Sequence, residues 1–230
     1  MPATHSSRSH PAAPLVAVLA VAAVLLLGVW VAGGVISDDY RTSMGLTAVW
    51  FLLSGAACLA VARRVRAARV AVLATYVLTA GAVSAYLAAT TLQDRVVDER
   101  VVTAAPAPAT DDGAARKPAP RAVELASGRF RSHEHETSGR AAVVQLADGR
   151  RFFTLTSFST SPGPDLRVRL VPGDSSDGGA DGAVDLGALK GNRGDQQYRV
   201  PAGVRLAGSS VVVWCRAFSA PFGSARLRAA

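Results

Sequence analysis

The chain has 230 residues, half of them hydrophobic, a formal net charge of +8 and only two cysteines. That length allows one or two domains, and the uneven spread of apolar residues points to a membrane portion plus a soluble portion. The charge does not indicate nucleic acid. Four arginines sit in one short loop, those beyond the third apolar stretch are interleaved with Asp and Glu, and no basic patch carries the aromatics on which single strands stack.

Three uncharged stretches lie between Arg8 and Asp38, between Arg41 and Arg63, and between Arg69 and Asp94. Each holds an apolar core near the roughly 20 residues that cross a bilayer. None shows the polar stripe of a buried soluble helix. The spacing predicts membrane helices over Pro14–Ile36, Gly45–Ala62 and Val70–Leu92, so that residues 1–92 form a three-span membrane region. The first span follows a short Arg-containing head and has a cleaved secretory signal as its alternative. Its apolar run is longer than the about 7–15 residues of such a signal, and Val31-Ala32-Gly33 is a poor cleavage site, which favours a retained span. Gly81, Ala85 and Ala89 recur every four residues, the small-residue spacing of a helix-packing face.

Orientation follows from the loops. Arg63-Arg64-Val65-Arg66-Ala67-Ala68-Arg69 carries four arginines, whereas Ser37–Met44 carries Asp38, Asp39 and only Arg41. Positive loops stay cytoplasmic. The N-terminus is therefore expected inside and everything after Leu92 outside, in a multi-pass cell-membrane protein whose first partner is the lipid bilayer.

Residues 93–121 read as a linker. Asp94–Arg100 is expected to continue the third helix as a short charged stub. The Pro/Ala runs Ala104–Ala109 and Lys117–Pro120 lean to extended, semi-rigid spacer conformations.

Over 122–230 the pattern is β. Ala141–Leu146 and Arg151–Thr156 flank an Asp148-Gly149 turn, a hairpin signature. Leu166, Val168 and Leu170 alternate with Arg167 and Arg169, as in a half-buried strand. Further runs occur at Ala183–Leu186, Gln196–Val200, Ser209–Phe218 and Ser224–Leu227, and a count of roughly eight short strands over the domain suggests an antiparallel sandwich. In the last long run Val211, Val213 and Cys215 share one face, and Val212 and Trp214 the other. Trp214, between valines on a central strand, is expected in the sandwich core.

Candidate chemistry is sparse. Cys58 lies inside the second span and reads as a small packing residue. Cys215 is alone on the outer side, so it is either a core side chain or a thiol kept for chemistry. Asp174, Asp177 and Asp181 lie in a Gly-rich loop whose spacing is not a calcium-loop pattern, and a solvated hairpin loop is the simpler reading. His133 and His135 share a face if extended, but the domain has no other histidine, so zinc would need Cys215 or carboxylates to complete its shell. No metal site is assigned on these residues. The domain has no Gly-x-Ser-x-Gly elbow and no Gly-rich phosphate loop, so a hydrolase would have to use Cys215, paired with His133 or His135. Enzyme status stays open, with a non-enzyme favoured.

One family resemblance covers about 120–227. It is carried by Gly128-x-Phe130, His135–Gly139, Phe158, Gly163-Pro164-Asp165-Leu166, the Leu186–Tyr198 run containing Leu189-Lys190-Gly191-Asn192-x-Gly194-x-Gln196, then Pro201 and Val211–Phe222. This pattern resembles the DM-thirteen domain, an extracellular module of Skeletor-type proteins. The resemblance implies a β-sandwich related to the DOMON haem- or sugar-binding fold, with its single cysteine, here Cys215, as a proposed redox centre. A Met/His haem site needs a methionine, and Met1 and Met44 both lie outside this domain. The spans contain no histidine for bis-histidine haems. The cofactor is therefore left unknown. Arg216 would lower the thiol pKa only if both side chains faced one region, and on an ideal strand they face opposite sides. Two functions remain open: a redox or electron-transfer-associated surface module using Cys215, or a non-catalytic binding or adhesion module for an extracellular protein or polymer, with the cysteine packed.

Overall fold

The computed structural model describes residues 12–104, 122–206 and 208–230. They fall into two units, residues 12–37 with 41–86, and residues 87–104, 122–206 and 208–230 with 38–40. The Pro/Ala spacer runs lie almost wholly in 105–121, outside the described residues.

Three helices are long and apolar enough to cross a membrane: α1 (Ala12–Gly34), α2 (Tyr40–Arg64) and α3 (Arg69–Leu92). Their outward side chains, such as Leu19, Leu52 and Leu78, are exposed in the helical unit. An apolar exterior of this kind is consistent with association with a lipid bilayer. The second helix starts at Tyr40 rather than at the expected Gly45. Nothing in Tyr40–Met44 breaks a helix, and the Ser43 and Thr47 hydroxyls donate to the Ser37 and Ser43 carbonyls. The four-arginine connection contains a single 3₁₀ turn, Arg66–Ala68.

The helices meet through glycines other than the expected ones. A Cβ on Gly28 of α1 would overlap the Trp50 ring of α2, whose indole N–H donates to the Leu25 carbonyl at 3.2 Å. A Cβ on Gly55 would lie 2.7 Å from the Tyr76 hydroxyl, which donates to the Phe51 carbonyl at 2.7 Å. A Cβ on Gly81, by contrast, meets nothing within 4 Å, so the Gly81–Ala85–Ala89 face is not a packing surface within this unit. The four-residue spacing of small residues marks only a possible seam, whereas the large aromatic opposite decides where helices approach. Gly28→Leu is expected to lower detergent-solubilised stability by about 1–3 kcal/mol through overpacking. Gly81→Leu should leave it unchanged, and equal losses in the two thermal melts would refute the assignment.

Eleven strands are present among the described residues. They are β1 (Val96–Asp98), β2 (Val123–Arg129), β3 (Arg131–Ser132), β4 (Ser138–Gln145), β5 (Arg151–Ser159), β6 (Leu166–Pro172), β7 (Val184–Ala188), β8 (Arg193–Val200), β9 (Ser209–Cys215), β10 (Ala220–Arg226) and β11 (Arg228–Ala229). One sheet runs β1-β8-β5-β4-β2-β11 and the other β3-β10-β9-β6-β7. The expected hairpin forms between β4 and β5, with Gln145 opposite Arg151 and Gly149 at φ 84° in the turn. Phe153, Leu155, Phe158, Val168, Val211, Val213 and Phe222 are at most 2 % exposed and belong to the core. Each such side chain contributes roughly 1.5–3 kcal/mol relative to exposure.

Three expectations need correction. Asp94–Arg100 does not extend α3: Val96–Asp98 forms β1, parallel to β8 with Val97 opposite Gly194. The adjacent valines favour a strand, and an open sheet edge receives them. The run Ser209–Phe218 ends as a strand at Cys215, because residues 216–219 turn the chain back and Cys215 pairs with Ala220. Trp214 is buried, 7 % exposed, but not between the sheets. It clusters with Val171 and Val212 on the outer face of the second sheet, covered by Ala180 and Ala183 of the loop joining β6 to β7.

Candidate functional site

Cys215 ends β9 on the inward face, opposite Leu166 of β6, as Val213 is opposite Val168 and Val211 opposite Leu170. The residue has no exposed surface, and its thiol donates to the Pro164 carbonyl at 3.3 Å. Burial pushes the thiol pKa up to about 12. The Phe218 and Ala217 backbone N–H groups pull the other way and the Asp165 carboxylate adds to the rise, but burial dominates. At neutral pH Cys215 is a protonated thiol.

Arg216 lies on the exposed side. Its guanidinium pairs with Asp165 at 2.6 Å, and its backbone N–H donates to the Asp165 carbonyl at 3.1 Å. Asp165 sits at φ 61°, a left-handed conformation that aspartate tolerates better than most residues. Gly163-Pro164-Asp165 and Cys215-Arg216 thus close on each other as a clip: thiol to Pro164, main chain and side chain of Arg216 to Asp165. Both segments stand out in the sequence, but no sequence rule showed that they bind each other.

The histidines do not form a shared site. His133 Nε2 is 2.8 Å from the Ser224 hydroxyl, and burial together with the Arg131 charge lowers its pKa. The His135 ring stacks on Phe222 with centroids 3.9 Å apart. In the Gly-rich loop, Asp174 pairs with Arg131 at 3.2 Å and Arg226 at 2.7 Å. Asp177 accepts from the Gly179 N–H at 2.8 Å, and a Cβ on Gly178 would lie 2.5 Å from the Trp214 ring. The loop is therefore a lid over Trp214 rather than a free hairpin. Among the described residues no three His, Cys, Asp or Glu side chains converge to hold a metal ion. Cys58 is half-buried on α2 and lines an apolar cleft with Val21 and Trp50.

A second polar centre went unrecognised as such. Gln196 has no exposed surface. Its Oε1 accepts from the Tyr198 hydroxyl at 2.7 Å and the Lys190 N–H at 3.0 Å, and its Nε2 donates to the Gly191 carbonyl at 2.8 Å. The Lys190 ammonium lies 5.2 Å from the Tyr198 ring centre and donates to the Gln197 carbonyl. The Lys190–Tyr198 motif is thus a satisfied internal network that shapes a bend. Its sequence signal was a polar residue at the inward position of a β run.

These features define the C-terminal unit as a two-sheet β-sandwich with one buried, clipped thiol. Residues 129–227, from the end of β2 past the end of β10, match the model of the DM13 family, described as electron transfer DM13. No curated protein and no solved structure matches the chain.

Proposed function

We propose that the chain is a multi-span membrane protein that displays its DM13 sandwich on the outer face of the cell membrane. There the sandwich acts as an electron-transfer-associated binding module, for an external protein, polymer or redox partner, in which Cys215 packs rather than reacts. The observation that carries this reading is the state of the thiol. A cysteine reacts as its thiolate, and here burial opposes that form while the proton rests on a carbonyl that cannot take it. Arg216, the nearest cation in sequence, is paired with Asp165.

Thiol labelling across pH tests the reading. With Cys58 replaced by alanine, the folded chain should label only on denaturation, and its Cys215→Ala variant should retain partner binding. Stability gives an independent check. The folded pKa lies above that of the unfolded chain, so the stabilisation is fully present below about 8.5. It is lost as pH rises from there toward about 12, by up to about 1.4 kcal/mol per pH unit. Tyr198, also pushed upward by burial, acts in the same direction. Cys215→Ala should make this alkaline loss shallower, and an unchanged slope would argue against the raised pKa.

The description of the matched family favours a second reading, in which Cys215 is itself the redox centre. Rapid labelling of the folded Cys58→Ala chain below pH about 8.5 would support it over the first.

Orientation rests on the arginine-rich loop between α2 and α3. Reporters fused after Arg66 and after Ala230 should give cytoplasmic and external signals respectively. An external signal after Arg66 would overturn the topology.

A further inference from the structure

Residues 94–102 precede the stretch that matches the DM13 family, and they occupy the open edge of β8. Their ladder is parallel, whereas the other ladders among the described residues are antiparallel. The contacts nevertheless run the whole length of the segment. The Arg95 N–H donates to Asn192 Oδ1 at 2.6 Å, and Asn192 Nδ2 donates to the Asp94 carboxylate at 2.8 Å. The Glu99 N–H donates to the Asp195 carbonyl at 2.9 Å. The Glu99 carboxylate accepts from the Lys190 ammonium at 2.7 and 2.9 Å and from the Gln197 N–H at 3.0 Å. The Val102 N–H donates to Gln197 Oε1 at 3.0 Å.

The receiving surface is shaped for a main chain. A Cβ on Gly191 would lie 2.5 Å from the Arg95 carbonyl, and one on Gly194, at φ 98°, would overlap the Val97 carbonyl. Lys190 and the Gly191 carbonyl are held from behind by Gln196 and Tyr198, independently of the segment. The acceptor is thus built from residues of the matched domain, and its occupant comes from outside it. Twenty residues, 103–122, separate that occupant from Val123, the start of β2.

We propose that the β8 edge is a strand-acceptor groove for an extended segment bearing two carboxylates five residues apart, and that residues 94–102 of this chain are its built-in ligand. Recognition joins β-augmentation through the main chain with two side-chain anchors. One is an aspartate read by Asn192, and the other, five residues later, is a glutamate read by Lys190. The same groove accepts this segment from a second copy of the chain once the resident one is displaced.

The test uses the full chain in detergent micelles and a labelled peptide of residues 93–103. Glu99→Pro removes both the carboxylate and the N–H donated to Asp195, and so should empty the groove. This variant is expected to bind the peptide about tenfold or more tightly than the wild type, whose groove is occupied. A Glu99→Gln chain, which keeps the backbone pairing, should lie between them. Adding Lys190→Ala to Glu99→Pro should weaken peptide binding again. Hydrogen exchange over residues 209–215 reports whether the sandwich stays folded. Lost protection there in Glu99→Pro overturns the proposal, since the segment would then be a strand the fold requires. Absent binding by a folded variant, or equal binding by wild type and variant, overturns it as well.

Discussion

Trp214→Ala is expected to lower the stability of the sandwich by about 3–5 kcal/mol. The indole lies on the outer face of the second sheet, packed on Val171 and Val212 and roofed by the Gly-rich loop. Removing it deletes a large apolar surface and leaves that loop without its floor. The loop can settle partway into the gap, which places the effect toward the low end of the range. Gly178→Val should damage the same contact from the other side, because its Cβ would press on the ring. Denaturant unfolding of the full chain, followed by hydrogen exchange over β9, measures both. A loss below about 1 kcal/mol for Trp214→Ala, the level of ordinary surface substitutions, would show that the ring is not a packing element.

Gln196→Leu is expected to cost about 2–6 kcal/mol, because it leaves the Gly191 carbonyl and the Tyr198 hydroxyl without the amide that satisfies them, at about 1–3 kcal/mol each. Its volume is nearly conserved, so a cavity is not the cause. The same substitution should loosen the bend that presents Lys190 and Asn192. Exchange of the Glu99 amide should therefore accelerate along with the stability loss. Stability equal to wild type would mean that the network is rearranged rather than broken, and that Gln196 does not organise the edge.

Much of the architecture was legible in local pattern. The three apolar helices, the β4–β5 hairpin and the alternation of Leu166, Val168 and Leu170 with Arg167 and Arg169 each follow from a period of side chains along one element. That Cys215 shares a face with Val211 and Val213 was readable in the same way, but not that this face, rather than the one carrying Trp214, is the inward one. Small misplacements came from local competition. Tyr40–Met44 has no residue that stops a helix, and residues 216–219 turn where the apolar run alone suggested continuation.

Which side chains share a face, and most of the helices, strands and turns, follow from neighbours a few residues away and were open to a reading of the chain alone. Only the tertiary structure decided what each face meets. Trp214 was readable as buried, but whether against the other sheet or under a loop depended on where residues 173–183 fold. Gly28 and Gly55, rather than Gly81, became the contact points between helices because Trp50 and Tyr76 happen to face them. The Cys215 thiol is neutral because Pro164 and the core close over it, from a loop fifty-one residues away in sequence. The valines of residues 96 and 97 read as the end of a helix until the β8 edge gave them a partner. Each of these outcomes rests on a contact between residues distant along the chain, and periodicity carries no information about such contacts.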